Sequence, residues 1–127
     1  MNSKIDLSQL RKTMWELNRK RGLLQRKLHR PSRMIIGSVI EVWKRCSNRE
    51  CRCYKRNERH GPYLYLMEPH GGKHTTRHVR REDWAKVREG VERYRQFQQG
   101  LAEIRKINEA IFDILKRIRD SHLERYE

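Results

Sequence analysis

Long hydrophobic runs are missing from this chain. No stretch approaches the roughly 20 consecutive apolar residues that a bilayer-spanning helix requires. The opening Met1-Asn2-Ser3-Lys4-Ile5-Asp6 lacks the apolar segment of a secretory signal, so a cytoplasmic protein without membrane contact is expected. There are only three cysteines, an odd number that cannot close an internal disulfide framework. Apolar residues make up 35% of the 127 residues against 37% charged. That is too little for a large core, yet Leu, Ile, Val, Trp and Tyr recur too regularly for a disordered chain. A core this small needs help from a metal, a long helical seam or a partner chain. Signs of enzymatic chemistry are also lacking: there is no glycine-rich phosphate loop, no paired-carboxylate site and no Ser/His/Asp arrangement. Glu41 and Glu68 could be grouped with histidines in a catalytic arrangement, but nothing in the sequence fixes a geometry for them. No enzymatic activity is expected.

What the chain has in excess is positive charge. Its formal net charge is +15, and the excess is segregated. Residues 1–34 carry ten basic and two acidic residues, residues 35–81 eleven and four, and residues 82–127 ten of each. The last third is balanced like an ordinary solvated helix. The first two-thirds point to a face that binds a polyanion.

Hydrophobic periodicity divides a single domain into three segments, 1–30, 34–80 and 82–125. In the first, Leu7, Leu10, Met14, Leu17, Leu24 and Leu28, with Arg21 filling the gap, form a heptad stripe that predicts a basic helix. The helix should stop at His29-Arg30-Pro31-Ser32, because the residue before a proline is pushed out of helical geometry. Met34 to Trp43 is rich in β-branched residues and reads as a strand, Tyr63 to Met67 as a second, and Lys73 to Val79 as a third after a turn at Pro69-His70-Gly71-Gly72. From Glu82 to Arg125 a long helix or helix pair is expected. Its stripe runs through Trp84, Val87, Val91, Tyr94, Phe97, Leu101, Ile104, Ile111, Leu115 and Ile118, with Asn108 as a register-setting polar member. Gly90 and Gly100 weaken that helix, and a break near Gly100 is compatible with the pattern.

Between the first two strands stands Cys46-x4-Cys51-x-Cys53-x6-His60. Three thiolates and an imidazole are a usual structural set for Zn2+, and they leave no open position for catalysis. Buried free cysteines are the weaker reading, since the loop is otherwise polar. His74 or His78 could replace His60 as fourth ligand, although both read better as sheet residues. The deaminase pattern of His-x-Glu with Pro-Cys-x-x-Cys is missing. The flanking cations should lower the thiolate pKa values.

Basic residues interleaved with aromatics are the second constellation. Arg19, Lys20, Arg21, Arg26, Lys27, Arg30 and Arg33 surround the end of the first helix, while Lys44, Arg45, Arg49, Arg52, Lys55, Arg56 and Arg59 crowd the cysteine loop. Both sets suit phosphate contacts, and Trp43, Tyr54, Tyr63 and Tyr65 are candidates to stack on unpaired bases, Tyr54 being the best placed. Trp43 and one of Tyr63 or Tyr65 are expected in the core between sheet and helix.

Three motifs carry a resemblance: Gly37-Ser38-Val39-Ile40-Glu41, the Cys46/Cys51/Cys53 cluster and His60-Gly61-Pro62-Tyr63. In these, and in Gly71-Gly72-Lys73 and the region of Val79, the chain resembles a family of short bacterial and archaeal proteins of unassigned function. The resemblance spans roughly residues 34 to 108, with Arg80-Arg81 standing where the pattern has Pro-Lys. It implies a shared zinc-type fold and nothing about a reaction.

The expected architecture is therefore α+β: two long helices in an antiparallel coiled-coil hairpin around a small three-stranded antiparallel sheet with a zinc-clipped loop. The expected function is that of a zinc-stabilised DNA- or RNA-binding protein, an accessory factor of a mobile element, phage or ribonucleoprotein assembly. The alternative is a coiled-coil adaptor or oligomerisation module working through a protein partner or a homodimer.

Overall fold

The computed structural model describes residues 5–30 and 32–126, so the expectations placed on Met1 to Lys4 and on Pro31 lie outside the described residues. The elements are helix α1 (Leu7–Leu28), strand β1 (Ser38–Lys44), a one-turn helix α2 (Arg52–Lys55), strands β2 (His60–His70) and β3 (Lys73–Val79), and helix α3 (Trp84–His122) after a 3-10 turn at Arg81–Asp83. The expected α+β composition, with a three-stranded antiparallel sheet and a long C-terminal helix, is present. The chain divides into two compact units, a helical one (Met1–Pro31 with Phe97–Glu127) and a sheet-bearing one (Ser32–Gln96).

In the helical unit, α1 starts where the extended Asp6 accepts the Gln9 backbone N–H at 3.2 Å, a side-chain cap for an otherwise orphaned donor. The stripe read from the sequence is the one withdrawn from solvent: Leu10 is buried, and Leu7, Met14, Leu17, Arg21, Leu24 and Leu28 are half-buried. In α3 the stripe differs from the expected one. Phe97, Ile104, Ile111 and Ile118 hold their places, but Gly100, Ile107 and Ile114 are the buried intermediates, while Leu101 and Leu115 are 47% and 46% exposed. Hydrophobicity favoured Leu101 because a glycine offers no side chain to count. Packing favours Gly100, where a Cβ would sit 3.0 Å and 3.2 Å from the two terminal methyls of Leu28. The helix continues through Gly100 without a break.

In the sheet-bearing unit, β2 is central and antiparallel to both neighbours. Side chains directly opposite one another share a face. Val39, Leu66 and Arg77 therefore line up with Glu41, Leu64 and Val79 on one side, and Ile40, Tyr65 and His78 with Val42 and Tyr63 on the other. The first face carries the core: Leu64 is fully buried, Leu66 and Val79 nearly so, and Ile35, Val39, Trp84, Val87 and Val91 pack against them. Trp84 Nε1 also donates to the Val79 carbonyl at 3.1 Å.

Trp43 is 53% exposed and lies outside that core. It falls at the register shift between Val42 and Lys44, which breaks the alternation that would have turned it inward. Tyr63 and Tyr65 both lie on the opposite face. Residues 34 to 36 are not part of β1. Instead the Ile35 N–H donates to the Gly90 carbonyl of α3 at 2.9 Å. The hairpin closes with Gly71 and Gly72 at φ 55° and 81°, the left-handed pair that a two-residue turn requires.

Two helical glycines give opposite expectations. At Gly90 a Cβ would lie 2.7 Å from two carbons of Ile35 and 3.2 Å from its Cβ, whereas at Gly22 nothing lies within 4 Å. Alanine gains about 1 kcal/mol of helix propensity over glycine, and overpacking costs about 1–3 kcal/mol. Gly22→Ala should therefore stabilise by up to about 1 kcal/mol. Gly90→Ala should destabilise by about 1 kcal/mol or more. Urea unfolding of the two variants checks the signs.

Candidate metal centre and its basic loop

The loop between β1 and β2 is shaped by local hydrogen bonds. Asn48 accepts the Cys51 N–H on its carbonyl and the Glu50 N–H on Oδ1, both at 3.1 Å, the self-bonding turn that asparagine favours. Cys51, in extended geometry, then precedes α2, and its carbonyl accepts the Tyr54 N–H at 3.1 Å. That turn faces Cys53 inward, 2% exposed. Asn57 takes a positive φ of 55°, its Oδ1 accepts from Arg45 Nη2, and the chain returns to His60, paired with Lys44 across the strands.

These turns gather Cys46, Cys51, Cys53 and His60, with their ligand atoms all within 4.8 Å of one another. Cys46 Sγ lies 3.5 Å from Cys53 Sγ, and Cys51 Sγ lies 3.1 Å from His60 Nε2. A tetrahedral ion with metal–sulfur bonds of about 2.3 Å has ligand–ligand edges of about 3.8 Å, so the four residues fit one metal ion. His60 is the histidine in this group. His78 instead packs edge-on against Tyr65, with ring centroids 5.5 Å apart, and His74 pairs with Pro69.

Electrostatics divide the thiols. Cys51 is pushed down to about 6, first by the Cys53 backbone N–H and then by the His60 ring. Burial is the main reason that Cys46 is held above the usual thiol range, followed by its hydrogen bond to Cys53. The flanking cations, expected to lower the thiolates, are not the cause. For Cys51, the one thiol that is lowered, the cause is hydrogen bonding within the cluster.

The expected phosphate-binding residues fall into distinct environments. On the loop, Arg49, Arg52, Lys55, Arg56 and Arg59 are exposed. Arg45 lies 5.5 Å from the centroid of the Tyr54 ring, which is itself 39% exposed. Lys44 Nζ donates to Tyr65 Oη at 2.6 Å, an interaction that raises the lysine pKa and keeps it charged. In the helical unit, Arg19, Arg26, Lys27 and Arg30 are exposed, as is Arg33 in the sheet-bearing unit. Lys20 is paired with Glu103 at 2.8 Å. Arg21 is half-buried and donates to Asn108 Oδ1 at 2.9 Å, so the two polar members of the helical stripes meet each other. Sequence reasoning named Tyr63 and Tyr65 as stacking candidates but gave one of them to the core, and it missed that both share the open sheet face with His78. The available signal was the alternation Tyr63-Leu64-Tyr65-Leu66, two tyrosines on one side and two leucines on the other.

A profile described as a domain of unknown function (DUF6788) matches residues 14–89. The chain belongs to this family. The matched span takes in most of α1, the whole sheet, the Cys/His cluster and the first residues of α3. It starts earlier and ends earlier than the 34-to-108 span of the motifs read from sequence. No curated protein and no solved structure matches the chain. Within the DUF6788 span, the motif residues have physical roles. Gly37, at φ 126°, approaches the Met67 carbonyl so closely that a Cβ would sit 2.6 Å from it. Gly61, at φ 143°, stands in the same relation to the Val42 carbonyl at 2.8 Å. Glu41 forms an ion pair with Arg88 that ties β1 to α3. Arg81, in the departing Arg80-Arg81 pair, stacks 4.2 Å from the Trp84 ring at the helix start.

The thiol pKa values set the pH dependence of metal binding. Ligation needs thiolates, and Cys46 retains its proton at neutral pH while Cys51 has lost most of its own. The metal must displace the Cys46 proton across this whole range, and below about 6 it must displace one from Cys51 as well. Cobalt(II) affinity, read from thiolate charge-transfer absorption, should fall by at least about tenfold per pH unit between 8 and 6 and more steeply below. An affinity flat across that range would contradict the ligand set.

Proposed function

We propose that the protein is a zinc-stabilised, non-enzymatic nucleic-acid-binding protein whose phosphate contacts are made by the clipped cysteine loop. The Cys3His set favours Zn2+ among divalent ions, and four protein ligands leave it no position for substrate. In a reducing compartment such as the cytoplasm the thiols stay available to the ion. Among the described residues no helix is long and apolar enough to cross a membrane.

One observation carries the reading. Carboxylates partner basic side chains at Lys20, Arg77, Arg80, Arg88, Arg93, Arg95 and Arg119. Among the described residues, none of the seven cations from Lys44 to Arg59 has such a partner. Charge left unneutralised at this density is what phosphates compensate, and it exceeds what solubility needs. An accessory role in a mobile element, phage or ribonucleoprotein assembly agrees with a small basic chain that lacks a reactive site.

The helical unit supports a second reading. Leu28 against Gly100, Lys20 against Glu103 and Arg21 against Asn108 run in opposite directions along α1 and α3, which favours an antiparallel coiled-coil hairpin. Trp15, Leu23, Leu101, Phe112 and Leu115 are left exposed, and such a set suits an oligomer or a helical partner. Sedimentation showing a dimer without nucleic-acid affinity would favour an adaptor instead.

Affinity for a labelled oligonucleotide should fall steeply with salt, the slope being about −0.9 per phosphate contacted in a duplex and about −0.7 in a single strand. The double variant Arg52→Gln/Arg56→Gln should reduce the magnitude of that slope by about 1–2. A binding curve indifferent to salt would overturn the reading.

A further inference from the structure

On the sheet face opposite the core, a cavity of about 610 Å³ opens between β1, β2 and the cysteine loop. Its floor is aromatic. Tyr63 and Tyr65 lie side by side on this face, and the His78 ring meets them at 6.1 Å and 5.5 Å between centroids. Its charge is positive: Lys44 Nζ stands 5.3 Å and 5.2 Å from the centroids of the two tyrosines, and Arg45 lies over Tyr54 at the rim. No carboxylate lines it. Cys46 and Ser47 form the remaining wall, so a cluster ligand sets one side of the space.

This combination narrows the ligand. A cavity with ring faces, two cations and no acid suits a molecule that has both a π-face and an anionic group. At about 610 Å³ it lies within the usual range for small-ligand sites. Bases within a duplex are stacked on one another and offer no free face. Unpaired bases do, and proteins take them by stacking on aromatic side chains while basic groups hold the phosphate. We infer that this cavity takes one unpaired nucleotide of a bound strand, its base against the Tyr63/Tyr65 floor and its phosphate against Lys44 and Arg45. The inference rests on the nucleic-acid reading above and adds a preference for single strands over duplexes. Lys44, already held over the rings, would move to the phosphate when a base replaces it there.

The test compares the full chain with a variant in the cavity and a variant on the loop outside it. Anisotropy titrations use a short labelled single strand of mixed sequence and the corresponding duplex. Tyr63→Leu should weaken single-strand binding about tenfold, while duplex binding changes less than twofold. Arg56→Gln, outside the cavity, should weaken both to a similar degree. Tyr54→Leu, on the exposed turn α2, makes the same discrimination if circular dichroism shows that Tyr63→Leu disturbs the sheet. Equal effects of the cavity variants on single strand and duplex, or no effect on either, would overturn the inference and leave general nucleic-acid binding standing. Failure of the wild-type chain to bind either probe would overturn both.

Discussion

Closure of the loop between β1 and β2 on four ligand atoms is the constraint from which the rest of the sheet-bearing unit follows. Cys46 leaves one strand, His60 opens the next, and Cys53 is buried between them. The core on the other face is small, with Leu64, Leu66 and Val79 as its buried members. A structural zinc contributes about 10–16 kcal/mol in isolated finger peptides, against a net stability of about 5–15 kcal/mol for a whole domain. On those magnitudes, a metal bound at this cluster would supply a contribution as large as the net stability of a whole domain. It also explains how a loop with seven cations and only two acids, Glu50 and Glu58, can hold a defined shape. A zinc bound by three thiolates would carry a net charge of about −1, enough to offset one of those cations and to leave the rest for phosphates.

The same closure would connect stability with the proposed phosphate binding. The clip holds Arg45 near Tyr54, sets Cys46 as one wall of the aromatic cavity, and leaves Arg49 to Arg59 on the outside of the turn. Metal chemistry on a substrate is not needed for any of this. The ion would act as a fastener, and the binding would be done by the residues it arranges.

Much of this was legible in the sequence where a single physical rule decides. Ligand type and spacing identified the four-residue cluster, because few other uses suit three cysteines and a histidine in a polar loop. The heptad stripe of α1 and the three strands also followed from periodicity. Legibility failed where the deciding feature was an absence or an irregularity. Gly100 lies in the helical stripe because it has no side chain, so a count of hydrophobic residues passed over it for Leu101. Trp43 is pushed out by a register shift that alternation cannot anticipate. Tyr63 and Tyr65 were assigned partly to the core because aromatic rings usually belong there, although the adjacent leucines already filled that face. The pairing of Arg21 with Asn108 joins positions 87 residues apart, and each had looked like a separate exception.

If a metal-fastened loop presents the phosphate-binding surface, reversible removal of the metal should remove and restore binding. Strand affinity would be measured by anisotropy on the purified protein, after stripping with a thiol-compatible chelator, and after adding Zn2+ back. Affinity should fall at least about tenfold on stripping and recover with about one equivalent of zinc. Unchanged affinity in a chain shown by elemental analysis to be free of metal would contradict the fastener role.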